Sequence, residues 1–246
     1  MKKVFFLICS VLSCVSVMGQ VDRVEPPFWW SGMKNPAVQV MLYGKEIAKY
    51  DPDVKGLDVA DVHRTENLNY LFITLNIASV KAGIFEIRLK DGDDLVQTIP
   101  FELKERKSNS AHRKSYDSSD LIYLLMPDRF ANGNPAIDSH PDVIENVNRK
   151  LDGGRHGGDI QGIIDHLNYI EELGVTTIWS TPLCVDNDEK YSYHTYAQSD
   201  VYKIDPRFGT NEDYKRLASE LHKREMKLVF DYVTNHWGLT HWMMKD

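Results

Sequence analysis

The sequence is poor in cysteine, which excludes a common way of stabilising an exported domain. It contains three cysteines among 246 residues, and two of them, Cys9 and Cys14, lie in an apolar N-terminal segment. If that segment is removed, Cys184 remains alone and no disulfide can form within the chain. No neighbour in the sequence activates Cys184, so we interpret it as a small, semi-buried residue near a strand end and not as a nucleophile.

The sequence also lacks an excess of positive charge. Its formal net charge is -7, and no long run of lysine and arginine occurs. A nucleic-acid or anionic-membrane surface needs such charge, so we expect neither partner. After the N-terminal segment no apolar stretch approaches the length of a membrane span, so we expect no span either.

The first residues are typical of a signal peptide. Lys2 and Lys3 precede an apolar run that continues to about Val17, and small residues precede Gln20. We therefore predict a signal peptide over residues 1–19, cleaved after Gly19, and a periplasmic or secreted protein. The alternative is a lipoprotein that is acylated on Cys14.

Residues 20–103 have the pattern of an all-β domain. Apolar, β-branched and aromatic runs are separated by turn residues such as Asp91-Gly92, which predicts an antiparallel, immunoglobulin-like sandwich. The predicted strands are Val38–Tyr43, Tyr70–Ile77, Ile84–Leu89 and Leu95–Leu103. Trp29 and Trp30 precede these strands. We interpret them as an anchor at the edge of the sandwich; the alternative is a platform for carbohydrate.

Residues 104–120 are polar and basic and show no periodic apolar face, so we predict an interdomain linker there. From Leu121 onward the pattern alternates between strand and helix, which predicts parallel strands with helices outside. The strands are expected at residues 121–126, 175–180 and 227–233, the first of them buried on both faces. The helices are expected at Asp159–Leu173 and Thr210–Arg224, capped by Asp159 and by the Thr210/Asp213 pair.

Function in such a fold lies in the loops that follow the carboxyl ends of the strands. Three such loops are expected here, over residues 127–158, over residues 181–209 and from Asp231 onward. The first is unusually long for a connection, which is typical of a functional or disordered segment.

These loops carry motifs that resemble the α-amylase superfamily. Phe230-Asp231-Tyr232-Val233-Thr234-Asn235-His236 is similar to its first signature region, and Tyr193-His194-Thr195-Tyr196 with the segment Asp200 to Thr210 is similar to a second one. Pro127 to Asn134 and Gly157 to Gly162 resemble segments of neopullulanases and cyclomaltodextrinases, as does Val24 to Trp30. The resemblance covers residues 121–246 as the first part of a (β/α)8 barrel of about three β/α units, preceded by the sandwich.

The resemblance implies which residues bind substrate. Tyr196 corresponds to an aromatic platform on which a glucose ring stacks, and His194 lies beside it. His236 corresponds to a histidine that contacts the sugar next to the cleaved bond, and Asp231 to a residue that ties the loop together. Thr195 stands where the family has glycine, so we expect a small change in the loop backbone. Without the family, Tyr196 is equally well interpreted as a residue that packs the loop, and His236 is better interpreted as a histidine on a surface loop.

The resemblance also implies a structural calcium ion. The residues that offer it oxygen atoms are Asn132, Asn134, Asp138, Gly157, Asp159 and Asn235. Ile137 stands where the family often has asparagine, so one ligand is expected to be absent. In the alternative interpretation these asparagines and aspartates only stabilise turns.

No catalytic residue is assigned within this sequence. A retaining glycosidase needs two carboxyl groups about 5 Å apart, and the resemblance places both on later strands, beyond Asp246. The expected function is that of a retaining α-glucan hydrolase acting on maltodextrin, cyclodextrin or pullulan, with the 246-residue chain inactive by itself. The alternatives are a non-catalytic glycan-binding protein and a transglycosylase. The family further implies a homodimer formed through the N-terminal domain.

Overall fold

The computed structural model describes residues 20–245, so the predicted signal peptide and Cys14 lie outside the described residues. The chain forms two compact units, one ending at Arg113 and the other beginning at Lys114. This division falls within residues 104–120, where a short 3-10 helix spans Ser110–His112. None of the helices in residues 20–245 combines the length and the apolar character needed to cross a membrane.

From residue 20 onward, the first unit contains eight strands and another short 3-10 helix, Ile47–Lys49, between the third and fourth strands. In chain order, β1 to β8 are Arg23–Glu25, Phe28–Trp30, Ala37–Tyr43, Asp51–Lys55, Asp58–Arg64, Tyr70–Asn76, Gly83–Asp91 and Asp94–Lys104. They form two four-stranded sheets with the orders β1-β3-β6-β5 and β2-β8-β7-β4. The four strands predicted from the sequence correspond to β3, β6, β7 and β8. The sheets are antiparallel except that β2 runs parallel to β8, which the sequence did not predict.

Alternation within the strands explains the core of this unit. In β3 and β6 every second side chain is buried, and the same holds in the central parts of β7 and β8. Both sheets contribute side chains to one apolar cluster. Its fully buried members include Leu42, Ile73, Leu89 and Phe101. Trp29 packs against this cluster, as the anchor interpretation predicts. The first unit is therefore a sandwich with a continuous apolar centre.

The second unit contains a parallel sheet with helices on one face. In chain order its elements are β9 (Ile122–Leu125), α1 (Pro127–Phe130), α2 (Ile160–Asp165), α3 (Leu167–Glu172), β10 (Thr177–Ser180), β11 (Cys184–Val185), β12 (Asp200–Ile204), α4 (Asn211–Lys223) and β13 (Lys227–Phe230). The sheet has the order β13-β10-β9, and β11 and β12 form a separate antiparallel pair. Cys184 opens β11 and is buried, and burial raises the pKa of its thiol to about 12.

The prediction that the first of these strands is buried on both faces was wrong. Leu125 packs into the cluster with the helices, but Leu124 on the opposite face is 59% exposed. Leu124 pairs in register with Trp179, which is also on this face and 40% exposed. The helices cover one face of the sheet, and within residues 20–245 the other face presents apolar side chains to solvent.

The predicted helix Asp159–Leu173 is in fact two helices. α2 ends at Asp165 and α3 starts at Leu167, with His166 in a non-helical conformation between them. The His166 Nδ1 atom lies 2.8 Å from the carbonyl oxygen of Gly162. In a continuous helix the main-chain amide of His166 would bind this oxygen, so the side chain competes with the helix. The third strand is also shorter than predicted and ends at Phe230.

The predicted helix caps are confirmed. The Asp159 carboxylate accepts a hydrogen bond from the Gly162 amide at 2.6 Å, which begins α2. Thr210 and Asp213 form a reciprocal capping box at the start of α4. Gly174 follows α3 with φ 77°, a conformation that glycine adopts without steric cost.

Candidate functional site

The four predicted substrate-binding residues lie together at the carboxyl ends of the strands. Asp231 follows β13 directly, and its Oδ2 atom accepts hydrogen bonds from Tyr196 Oη and from Trp179 Nε1, both at 3.1 Å. His236 Nε2 lies 3.1 Å from the main-chain oxygen of Tyr196. The His194 and Tyr196 rings are 5.7 Å apart. The second and third loops thus meet at one cluster, which we call the tyrosine cluster: Trp179, His194, Tyr196, Asp231 and His236.

Tyr196 presents its ring to solvent while its hydroxyl group is held. The side chain is 39% exposed, and burial of the hydroxyl together with the negative charge of Asp231 raises the pKa of Tyr196. The phenol therefore stays protonated at neutral pH and donates to Asp231. One face of a fixed aromatic ring is the type of surface on which an apolar sugar face packs.

The two histidines of the cluster differ in what they offer. Burial lowers the pKa of His194, against the opposing influence of Glu145 and Asp188, so its imidazole is neutral at pH 7. Both ring nitrogens of His236 have protein partners, since Nδ1 lies 3.1 Å from Asn235 Nδ2. A carbonyl oxygen only accepts, so Nε2 carries the proton that is shared with Tyr196. His236 therefore joins the third loop to the second.

Thr195 directs Tyr196 outward through an unusual backbone conformation. It has φ 56° and ψ 27°, the left-handed region that glycine adopts freely and that is costly for a β-branched residue. Its side chain is fully buried and its hydroxyl donates to the Pro182 carbonyl oxygen. The residue that departs from the family pattern thus occupies a position that suits glycine.

A buried ion pair that sequence reasoning missed supports the second loop. Arg207 and Asp205 are both inaccessible to solvent, with Nη2 and Oδ2 2.6 Å apart. Arg207 also donates to the main-chain oxygens of Glu145 at 2.7 Å and Asp186 at 2.6 Å. The Glu145 carboxylate in turn accepts from the Ser192 amide and hydroxyl at 2.7 Å each. Arg207 therefore joins the first and second loops from below the tyrosine cluster.

Asp186 is a second supporting residue that the sequence did not identify. It is fully buried, and one carboxylate oxygen accepts from the amide of Ala197, the residue after Tyr196, at 3.2 Å. Burial raises the pKa of Asp186 to about 7. The main chain next to the aromatic platform is thus held by a carboxyl group that titrates near neutral pH.

Asp128 and Arg155 close the base of the first loop. Both are buried, and Asp128 accepts hydrogen bonds from the amides of His156 and Gly157. Arg155 donates to the main-chain oxygen of Ser192 at 2.9 Å. Asp128 lies inside the Pro127 to Asn134 segment that the sequence singled out, so its position in that motif was the available signal.

Five of the six predicted calcium ligands lie near one another, but they do not form a cation site as arranged. Asp138 accepts from Asn132 Nδ2 and from Arg149 Nη2, each at 2.7 Å. Asp159 accepts from three amides, those of Gly133, Asn134 and Gly162. Every carboxylate oxygen of these two residues therefore already faces an N–H donor, and the Arg149 guanidinium group places a positive charge beside Asp138.

The remaining predicted ligands add no free carboxylate to this set. The Asn134 side-chain oxygen accepts from the Ala136 amide, and the Asn235 amide contacts His236. Gly157 has φ 86°, and an added Cβ there would collide with the Asp138 carboxylate. Within residues 20–245 no three histidine, cysteine, aspartate or glutamate residues form a group that could hold a metal ion, and the predicted set itself contains only two carboxylates, those of Asp138 and Asp159. In this arrangement, with both carboxylates bound by N–H donors, the set does not fit calcium.

Two family models match the chain, one in each unit. Residues 124–246 match the model of the α-amylase catalytic domain, and residues 23–107 match the model of the cyclomaltodextrinase N-terminal domain. The first match spans half of the chain, and the two matches occur in the order that the sequence motifs predict.

Curated relatives agree with these models. A cyclomaltodextrinase of Thermoanaerobacter pseudethanolicus is 33% identical in an alignment 200 residues long that covers 75% of this chain and 34% of that protein. Neopullulanase 2 of Thermoactinomyces vulgaris is 38% identical over 128 residues, 51% of this chain and 21% of that protein. A solved α-amylase structure from Anoxybacillus is 46% identical, with a TM-score of 0.47, and covers 52% of this chain and 26% of that chain. The chain thus spans about a third or less of the length of these curated relatives.

Proposed function

The chain belongs to the α-amylase family, and from that premise we propose that the full-length protein is a glycoside hydrolase of the neopullulanase and cyclomaltodextrinase type that acts on α-glucans. The predicted resemblance to this family is confirmed by both domain models. The observation that carries the proposal is the tyrosine cluster, in which Tyr196, Asp231 and His236 contact one another at the carboxyl ends of the strands.

The cluster supports sugar binding by ordinary chemistry. The exposed Tyr196 ring receives the C–H face of a glucose unit, and Asp231 holds the ring in place through the phenol. The His194 Nδ1 atom accepts from the Tyr196 amide at 3.3 Å, so the neutral imidazole offers its Nε2–H group as a donor to a sugar hydroxyl group. His236 fixes the main chain of Tyr196, so the platform is organised before substrate arrives.

Within the proposal, these residues bind and orient the glucan next to the bond that is cleaved. The carboxyl groups that react are expected, by resemblance, on strands that follow Asp246, and this stays a prediction. Retention of configuration stays a prediction for the same reason. Maltodextrin, cyclodextrin and pullulan are the proposed substrates, since relatives named for cyclomaltodextrin and pullulan are similar to this chain.

The test is a comparison of substrate panels and platform variants in the full-length protein. We expect turnover of α-linked glucans and none of β-linked glucans. Tyr196→Ala removes the platform, and we expect it to lower kcat/KM by about tenfold to a hundredfold, a change of about 1.4–2.8 kcal/mol. Tyr196→Phe keeps the ring and loses the bond to Asp231, so its loss is expected to be smaller.

Tyr169→Ala is the matched control, because Tyr169 is 52% exposed on α3, away from the loops of the cluster. Absence of turnover with every α-glucan would refute the hydrolase. If the protein then still bound maltodextrin, the non-catalytic glycan-binding function would replace it. Oligosaccharides longer than the substrate among the products would instead identify a transglycosylase.

We also propose that the protein is exported and that its first unit mediates a homodimer. The support for export is the charged and apolar pattern of residues 1–19. The support for the dimer is the match of residues 23–107 to the cyclomaltodextrinase N-terminal model. N-terminal sequencing of the mature protein tests the first proposal, and the mass of the full-length protein in solution tests the second.

A further inference from the structure

A groove outside the tyrosine cluster is lined by three exposed apolar side chains. Ile144 and Leu151 come from the first loop and Tyr191 comes from the second, and they are 49%, 58% and 60% exposed. The cavity between them has a volume of about 480 Å³. Pockets for small ligands range from about 300 to 1,000 Å³. Solvent-exposed apolar side chains that converge on one such cavity indicate a binding surface.

The polar lining of the groove narrows the class of ligand. The polar residues that line it are Glu145, Asn146, Asn148, Asp152, Glu189 and Lys190, and the Glu145 carboxylate is already bound by Ser192. Carboxylates accept from neighbouring hydroxyl groups, and amides both donate and accept. Three acids against one lysine disfavour a phosphate or another anion. A neutral polyhydroxylated ligand with apolar faces, such as a sugar, fits both the exposed apolar side chains and the polar residues of the groove.

The groove is held in shape by contacts between its two loops. Tyr191 packs against Gly153 so closely that an added Cβ there would collide with the ring. Tyr191 has φ 63°, and the next residue, Ser192, is bound through its amide and hydroxyl by Glu145. The aromatic plate is therefore positioned by the fold, which lowers the entropy that binding costs.

A series of side-chain contacts, which starts at Arg129, connects the groove to the tyrosine cluster. Arg129 donates to the main-chain oxygen of Asp152 at 2.8 Å, and its guanidinium group lies 4.1 Å from the centre of the Tyr193 ring. The Tyr193 ring is 5.0 Å from the His194 ring, which contacts Tyr196. The groove and the platform are thus built on the same two loops.

We propose that the groove formed by Ile144, Leu151 and Tyr191 is an outer subsite for α-glucan chains, which takes glucosyl units remote from the bond that is cleaved. This proposal rests on the proposed function and adds a preference for long over short substrates. Tyr191 supplies the stacking plate and Leu151 and Ile144 supply the apolar wall. Asp152, Glu189 and the two asparagines bind the hydroxyl edges, while Glu145 holds the loop of Tyr191 through Ser192.

The experiment compares maltotriose with maltoheptaose as substrates of the full-length protein. For Tyr191→Ala we expect kcat/KM with maltoheptaose to fall about tenfold through a higher KM, while the value with maltotriose changes less than about twofold. Tyr191→Phe keeps the plate and is expected to resemble the natural protein. Leu151→Ser, on the opposite wall, is expected to reproduce the selective loss, and Tyr169→Ala is the control outside the groove.

The outcomes separate this proposal from the proposed function. Suppose that the natural protein is active. If Tyr191→Ala then leaves kcat/KM unchanged, or lowers it equally with maltotriose and maltoheptaose, the outer subsite is refuted and the hydrolase is not. A natural protein without turnover of any α-glucan refutes the hydrolase. In that case titration with maltoheptaose tests the groove directly, and equal affinity of the natural protein and Tyr191→Ala would overturn it as well.

Discussion

The two units use charge in opposite ways. In the first unit Asp53 pairs with Arg88 and Lys90 at the surface, where about a third of each side chain is exposed. In the second unit Arg207 and Asp205 pair with no exposure at all. The sandwich is held by its apolar core, whereas the loops of the second unit are held by buried charges. Buried charge fixes loop geometry but is costly if one partner is lost.

The units also differ in how completely they cover their apolar surface, and this predicts the largest effect. Expressed alone, residues 20–113 should unfold cooperatively, because both sheets feed one buried cluster. Residues 114–246 alone should melt broadly and bind a hydrophobic dye, since Leu124 and Trp179 are exposed on the face without helices. Circular dichroism melts and dye fluorescence measure both. A sharp melt of residues 114–246 without dye binding would contradict the comparison.

The second prediction compares one ion pair from each unit. Arg207→Met leaves Asp205 buried without its partner, which should cost about 3–5 kcal/mol of unfolding free energy. Arg88→Met removes a surface pair and should cost no more than about 1 kcal/mol. Denaturant unfolding of the full-length protein measures both values. Adding Asp205→Asn to Arg207→Met should recover part of the loss, and equal costs for the two single variants would refute the contrast.

The sequence predicted those features that depend on local pattern. Alternating side chains located β3, β6, β7 and β8, and short-range side-chain chemistry located the caps at Asp159 and Thr210. The rule that functional loops follow strand ends, together with the family resemblance, predicted that Tyr196, Asp231 and His236 lie in one place, although 40 residues separate the first from the last.

What the sequence could not predict depends on contacts between distant segments. Arg207 binds the main chain of Glu145, 62 residues away, and no local signal marks that pairing. The break at His166 depends on a ring that takes the carbonyl group of Gly162, where periodicity alone indicated a continuous helix. The family resemblance implied the calcium ligands, but the structure places Arg149 against Asp138. A match of motifs names residues but does not show which partners they contact.

The third prediction concerns pH, where the two units should respond with opposite sign. An unfolded aspartate loses its proton near pH 4, whereas burial holds the proton on folded Asp186 up to about pH 7. Between these values the folded state binds a proton that the unfolded state lacks. The contribution of Asp186 to stability therefore falls as the pH rises from about 4 to 7 and is constant above. Asp186→Asn should flatten that decline in urea midpoints.

Asp53 in the first unit is the matched control. Its hydrogen bond with Lys90, together with that from Arg88, lowers the pKa of its carboxyl group. Its contribution is therefore present above the unfolded pKa and is lost as the pH falls through the folded value. Asp53→Asn should alter only the acid side of the profile, below about pH 4. If the urea midpoint of Asp186→Asn still falls between pH 4 and 7 as it does in the natural protein, groups other than Asp186 cause that fall.

The fourth prediction, with the smallest expected effect, concerns whether the second unit depends on a divalent metal ion. Arg149 already neutralises Asp138, and the amides around Asp159 satisfy the other carboxylate. We therefore expect a chelator to leave the melting midpoint of the full-length protein unchanged. Arg149→Ala should lower stability by about 1 kcal/mol, since the arginine side chain is 56% exposed. Lys150→Ala is the neighbouring control and should have no effect. A midpoint that falls with the chelator and recovers with calcium would show that the loop rearranges around the ion, with Arg149 displaced from Asp138.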